Sequence, residues 1–252
     1  MIGDIIDKYQ IIKKIGEGGM ATVFQGRHTA LNRDVAIKII HPGLAQSERN
    51  RQRFAREAKA IERLDHKNIV KIWDYSEDLE SDDGYKSCYI ITELVQGLNL
   101  NQLMGEQEDI PSEVIALIGI EVCNALSYAH SKGFIHRDIK PDNIMLRTDG
   151  AIKLLDFGIA RFAEEDSLTL TKSLVGSPAF MSPEQAMDES EGALDHRSDL
   201  FSLGIVLFQL VTGELPFQGS NPSIVLKNII DNRRSQAHCI TPQISLTLED
   251  CI

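Results

Sequence analysis

His136-Arg137-Asp138-Ile139-Lys140-Pro141-Asp142-Asn143 crowds three oxygen acceptors and three basic side chains into eight residues, with a proline to stiffen the loop. A random polar loop seldom combines these. Asp138 can accept a hydroxyl proton, Lys140 can neutralise a transferring anion, and Asn143 can ligate a cation through its amide oxygen. Downstream, Leu154-Leu155-Asp156-Phe157-Gly158 ends an apolar strand on an aspartate, and the glycine lets the chain turn at once. A hard cation such as Mg²⁺ takes carboxylate and phosphate oxygens, so Asp156 and Asn143 together suit one.

Working toward the N-terminus, Val35-Ala36-Ile37-Lys38 closes a predicted strand over residues 34–40. Alternation puts Lys38 on the face of Ala36, where the ordinary reading is a lysine snorkelling at an apolar edge. A helix is predicted over residues 47–64, with Phe54, Ala58, Ile61 and Leu64 as its apolar stripe. Glu57 falls inside that stripe and needs a partner, and Lys38 is its natural counter-charge. Before the strand, Gly16-Glu17-Gly18-Gly19-Met20-Ala21-Thr22-Val23 sits between two strand-like stretches, residues 9–15 and 21–25. Such glycines bring backbone N–H groups close to a phosphate or simply make a hairpin turn. It is not a P-loop, since no Gly-Lys-Ser/Thr follows, nor a dinucleotide fingerprint, since a strand comes next.

Two further strands are predicted over residues 69–75 and 88–95, joined by an acidic turn. After Gly97 the pattern becomes helical. A helix over 114–132 begins after Ile110-Pro111-Ser112 and stops at Gly133. Another, over 199–212, is apolar nearly all round and is expected to be fully buried. His41-Pro42-Gly43 reads as a stop after the strand ending at Ile40. The expected architecture is α+β and bilobal. A small antiparallel β-sheet lobe with one main helix spans 1–95, a larger mainly α-helical lobe spans 96–252, and a crevice between them is expected to take the ligand.

Composition narrows the function. At 252 residues, 42% hydrophobic and 25% charged, the chain is neither disordered, collagen-like nor a polytopic membrane protein. A net charge of −11 argues against a surface that coats nucleic acid. Four scattered cysteines without a CxxC pair give neither a disulfide framework nor zinc spacing, and fit reduced thiols in the cytoplasm. No signal peptide is legible at the N-terminus. The apolar run over 200–211 is too short to span a bilayer, so any membrane tether is expected only from regions outside this chain.

In order and spacing together, residues 16–23, Val35-Ala36-Ile37-Lys38, Glu57, His136-Arg137-Asp138 to Asn143, Asp156-Phe157-Gly158 and Ser182-Pro183-Glu184 make residues 9 to about 250 resemble a eukaryotic-like protein kinase catalytic domain. Gly18-Gly19-Met20 and Arg33-Asp34-Val35-Ala36-Ile37-Lys38 are most similar to bacterial Hanks-type serine/threonine kinases. The resemblance implies transfer of the γ-phosphate of ATP, with Mg²⁺ or Mn²⁺, to Ser/Thr hydroxyls of protein substrates. It makes Asp138 the base, Lys140 the γ-phosphate partner, and Asn143 and Asp156 the metal ligands. Ile15, Gly16, Glu17, Gly18, Gly19, Met20, Ala21 and Val23 would cover the nucleotide. Lys38, held by Glu57, would bind the α- and β-phosphates. Adenine would lie between Val23 with Ala36 and Met145, on the backbone of Glu93 and Val95, with Thr92 as gatekeeper. Lys140 and Gly176-Ser177-Pro178 favour Ser/Thr over Tyr as acceptor.

Thr169, Thr171 and Ser173 become candidate activation-loop phosphosites, with Arg137, Arg161 and Arg53 as their basic pocket. Asp199 is expected to accept backbone N–H groups of the Arg137 loop. Ala21 replaces the third loop glycine and Ser177 a more usual threonine. The family fold continues past the point where this chain stops, so Glu184 is expected to lack its arginine and the chain to be poorly stable. A kinase-fold scaffold without turnover is the alternative reading. A small-molecule kinase fits less well, because the segment 176–184 belongs to enzymes that position peptides.

Overall fold

The structure is a computed structural model that describes residues 1–18, 21–80, 86–107, 109–157, 178–187 and 194–241. The chain divides into two compact units, one over Met1–Gln96 with Ile159–Val175, the other over Gly97–Gly158 with Gly176–Ile252.

Period-two alternation builds the first unit. Strand β1 (Ile5–Ile6) is followed by β2 (Tyr9–Glu17), β3 (Ala21–His28) and β4 (Arg33–Ile40); β5 (Ile72–Glu80) and β6 (Lys86–Glu93) complete a sheet in the order β1-β2-β3-β4-β6-β5. The pairings are antiparallel. One face buries Ile11, Phe24, Val35, Ile37, Ile39, Tyr89 and Ile91, with Trp73 packed beside them. Each fully buried side chain of this size contributes about 1.5–3 kcal/mol, so a one-residue slip in register is strongly disfavoured. Helix α1 (Pro42–Ala45) precedes α2 (Glu48–Ile61), which packs on β5 and β6. The predicted stripe of Phe54, Ala58, Ile61 and Leu64 is buried. The strand stops before His41-Pro42-Gly43 as expected, β4 ending at Ile40, and the same residues open a helix that the sequence reading did not foresee: Pro42 occupies the first turn of α1, where its missing N–H costs nothing.

The second unit opens with β7 (Gly97–Asn99) and α3 (Leu100–Glu106), then α4 (Ser112–Ser131), β8 (Ile144–Arg147) and β9 (Ile152–Leu154). The three short strands form their own antiparallel sheet, β7-β8-β9. It continues through α5 (Pro183–Ala186), α6 (Arg197–Thr212), α7 (Pro222–Ile230) and α8 (Ala237–Ile240). Helix α4 is long and apolar enough to cross a membrane by composition, yet Ile115, Ile118, Val122 and Leu126 are buried within the unit. It packs against α6, and at Gly119 an added Cβ would stand 3.4 Å from the Leu207 methyls. Helix α6 is not buried all round as its composition suggests. Leu203, Val206 and Leu210 are buried, while Leu200 is 45% exposed. Length and apolarity do not say which flank has a neighbour.

Gly97 is required where it stands. Its φ is +154°, and a Cβ there would lie 2.0 Å from the carbonyl oxygen of Leu146. Gly97→Ala must push β7 off β8 and is expected to lower stability by about 3 kcal/mol. The urea midpoint checks this.

Candidate active site

In the first unit, the sheet register sets the face that carries the candidate nucleotide residues. Val23 pairs with Lys38, and Lys38 with Ile90; Gln25 pairs with Ala36, and Ala36 with Thr92. Directly paired residues share a face. Val23, Ala36, Lys38 and Thr92 therefore stand on the face opposite Phe24, Ile37 and Ile91. Ahead of them, Gly16 pairs with Val23 and Glu17 with Thr22, and the Gly18 N–H donates to the Ala21 carbonyl at 2.9 Å. Ile15 is 45% exposed and Ala21 is buried. Gly19 and Met20 lie outside the described residues. Glu57 sits on α2, but its side chain lies outside them too, so its pairing with Lys38 remains an expectation.

Past β6, the Glu93 N–H is committed to the Lys71 carbonyl at 3.0 Å, and the Glu93 carbonyl accepts the Thr92 hydroxyl at 3.2 Å. The Val95 N–H makes no hydrogen bond with any described residue.

In the second unit, a buried carboxylate organises the loop His136–Asn143. Asp199, in the first turn of α6, is fully buried. Its Oδ1 accepts the Arg137 N–H at 2.7 Å, and its Oδ2 accepts the His136 N–H at 2.8 Å. The His130 Nε2–H, from α4, donates to Oδ2 at 2.8 Å. Asp199 thus takes the loop N–H groups that the sequence assigned to it. These bonds hold Arg137 in the left-handed region, at φ +66°. That conformation costs a non-glycine residue about 1–2 kcal/mol.

His136 ties the loop to the following strand. Its Nε2–H donates to the Leu155 carbonyl at 2.7 Å, and its Nδ1 accepts the Asp138 N–H at 3.3 Å. Its ring lies 4.6 Å from that of Phe157. The Leu155 N–H also donates to the Asn143 carbonyl at 2.8 Å, which carries the chain directly into Asp156 at φ +49°.

Asp138 emerges with its two oxygens in different states. Oδ2 accepts the Lys140 ammonium at 2.8 Å and the Asn143 amide at 2.9 Å. Oδ1 accepts nothing from the described residues. The Asn143 amide also donates to the Asp138 carbonyl at 2.8 Å. Both amide hydrogens are therefore spent on oxygens, which fixes the flip and leaves Asn143 Oδ1 uncommitted among the described residues. That is the kind of donor a hard cation needs. Asn143 Oδ1 with the Asp156 carboxylate fits a magnesium ion by donor chemistry. Met145, on β8, pairs with Asn99 and Lys153.

Glu184 lies in the first turn of α5, and its carboxylate accepts the hydroxyl of Ser198. Its hydrogen-bond partner here is a hydroxyl from the first turn of α6, which the sequence reading did not foresee. Burial pushes its carboxyl up, but the Ser198 hydroxyl, its own N–H and Ser182 favour the charged form more, and the net direction is below the usual 4.5. A depressed carboxylate contributes stability above its unfolded value and loses it as pH falls. Ser198→Ala is expected to cost about 1 kcal/mol at neutral pH, discounted for partial exposure, with the deficit shrinking below pH ~4.5. Urea unfolding across that range checks it.

Sequence reading missed two contributors: His130, which supports the loop through Asp199, 69 residues further along the chain, and Gln185, which reaches Arg137 from 48 residues away. The activation-loop candidates Thr169, Thr171, Ser173 and Arg161, and the side chain of Arg53, lie outside the described residues.

Residues 9–250 match the family model for the protein kinase domain. A probable serine/threonine-protein kinase of Clostridium perfringens is 39% identical over all of this chain and 36% of its own length. Probable PknB of Lactococcus lactis is 39% identical over 100% of this chain and 39% of its own. PrkC of Bacillus subtilis is 40% identical over 89% and 34%. The chain thus spans little more than a third of the curated relatives it matches. Among solved structures, the PknI kinase domain of Mycobacterium tuberculosis, as a double mutant, aligns at TM-score 0.72 and 25% identity over 96% of this chain and 85% of that one. Rad53, solved in complex with AMP-PNP, aligns at TM-score 0.76 and 26% identity over 96% and 58%. With residues 9–250 of its 252 matching that family model, and relatives near 40% identity along the same stretch, the chain belongs to the protein kinase domain family.

Proposed function

We propose that the chain transfers the γ-phosphoryl group of ATP to serine or threonine hydroxyls of proteins. The observation that carries this is Asp138: one carboxylate oxygen anchored by Lys140 and Asn143, the other uncommitted among the described residues. Phosphoryl transfer asks a protein for positioning and charge stabilisation more than for covalent chemistry. The acceptor hydroxyl oxygen bonds to the γ-phosphorus as the bond to the β,γ-bridging oxygen breaks. Its proton passes to Asp138 Oδ1, and ADP leaves with the bridging oxygen. Lys140 offsets charge on the moving group.

Lys38 takes the α- and β-phosphates, and the glycine hairpin that begins at Gly16 covers them. Val23 and Ala36 line the adenine, whose edge bonds to the Glu93 carbonyl and the Val95 N–H. Asn143 and Asp156 would hold Mg²⁺, which neutralises phosphate oxygens when bound. The serine/threonine preference is supported by Lys140 two residues after Asp138 and by the names of the curated relatives.

Incubation with γ-labelled ATP and a general acceptor protein tests the reading. Label is expected to reach the acceptor with Mg²⁺, to stop on chelation and to return when Mg²⁺ or Mn²⁺ is restored. Transfer indifferent to the chelator contradicts the assignment of Asn143 and Asp156.

A further inference from the structure

We infer that Gln185 is a positioning residue for phosphoryl transfer, whose amide fixes the Arg137–Asp138 peptide and so aims Asp138. The inference rests on the role of Asp138 proposed above. Arg137 is left-handed, and its two peptide groups are held by different elements. Asp199 takes its N–H, while the Gln185 Nε2–H donates to its carbonyl at 3.0 Å. Among the described residues Gln185 is the one donor to that carbonyl. The carbonyl belongs to the peptide that leads into Asp138. Fixing its plane, together with the Asp138 N–H held by His136, fixes where the Asp138 Cα stands and so the point from which its side chain leaves the backbone.

The Gln185 amide has no freedom to do otherwise. The residue is buried, its Oε1 accepts the Ser182 N–H at 3.0 Å, and its own N–H reaches the Ser182 hydroxyl at 3.4 Å. Flipping the amide would set oxygen against the Arg137 carbonyl and NH₂ against the Ser182 N–H. One side chain therefore closes the cap of α5 and the turn of the loop together. A residue that merely filled space would need neither end of the amide.

Two substitutions separate these roles. Gln185→Glu keeps the shape but, when ionised, faces the Arg137 carbonyl with an acceptor. A buried carboxyl beside a carbonyl titrates high, and protonation restores the donor. At about pH 8 the variant is expected to have a kcat about ten- to a hundredfold below the parent, with KM for ATP within about threefold. The ratio of variant to parent should recover toward one as the pH falls to about 6. A ratio flat across that range overturns the inference. Gln185→Met removes the donor at similar volume. Amide exchange over residues 134–143 is expected to quicken about tenfold in the folded variant, and unchanged protection also overturns the inference. Exchange reads the Arg137 turn without any phosphate moving. A parent that transfers no phosphate would therefore sink the proposed function while leaving this measurement decisive for Gln185.

Discussion

Asp199→Ala is expected to cost on the order of 3–5 kcal/mol of folding stability, a large share of what a domain has. The carboxylate is fully buried and accepts the N–H groups of His136 and Arg137 together with the imidazole of His130. Truncation strands three donors, the His136 N–H fully buried and the other two partly so, and each costs about 1–3 kcal/mol when left unmade. It also removes one of the two bonds that keep Arg137 at φ +66°. Asp199→Asn should recover only part of the loss. One oxygen can still serve His136 and His130, but the NH₂ then confronts the Arg137 N–H. The order parent, Asn, Ala in urea midpoints is the expected result. Two variants within about 1 kcal/mol of the parent would show that the loop is held by other means.

Asp138→Asn is expected to lower kcat by about a hundred- to ten-thousandfold, the usual worth of a positioned base. The substitution keeps shape and one oxygen for Lys140 or Asn143, so unfolding should move little. KM for ATP should also hold, since the nucleotide's proposed contacts lie with Lys38, Val95 and the glycine hairpin. A loss confined to kcat separates failed proton acceptance from a collapsed site. Steady-state kinetics beside a thermal melt of each protein make the comparison. A variant that retains kcat removes Asp138 from the chemistry.

What the sequence disclosed followed from periodicity and from chemistry packed into short runs. Alternation in Val35-Ala36-Ile37-Lys38 was enough to put Lys38 with Ala36, and the sheet register then adds Val23 and Thr92. The stripe through Phe54, Ala58 and Ile61 shows in a helix because its spacing repeats. The small sheet showed only in its last strand, the apolar run before Asp156 that is Ile152–Leu154; Gly97–Asn99 and Ile144–Arg147 are too short to display a period. Contacts across long stretches of chain were hidden as well. Nothing near Gln185 says that its amide meets Arg137, because that depends on where α5 lands. The same holds for Ser198 and Glu184. Their hydrogen bond comes from the turn that brings α6 beside α5, which no local pattern encodes.

The most direct test of the account is the chemical identity of the phosphorylated product. The parent and Asp138→Asn are each incubated with γ-labelled ATP, Mg²⁺ and an acceptor protein, and the acceptor is hydrolysed to its amino acids. The account predicts label on phosphoserine and phosphothreonine from the parent, and near loss of it from a variant that still binds ATP. Equal label from both, or γ-phosphate released only to water, would contradict it.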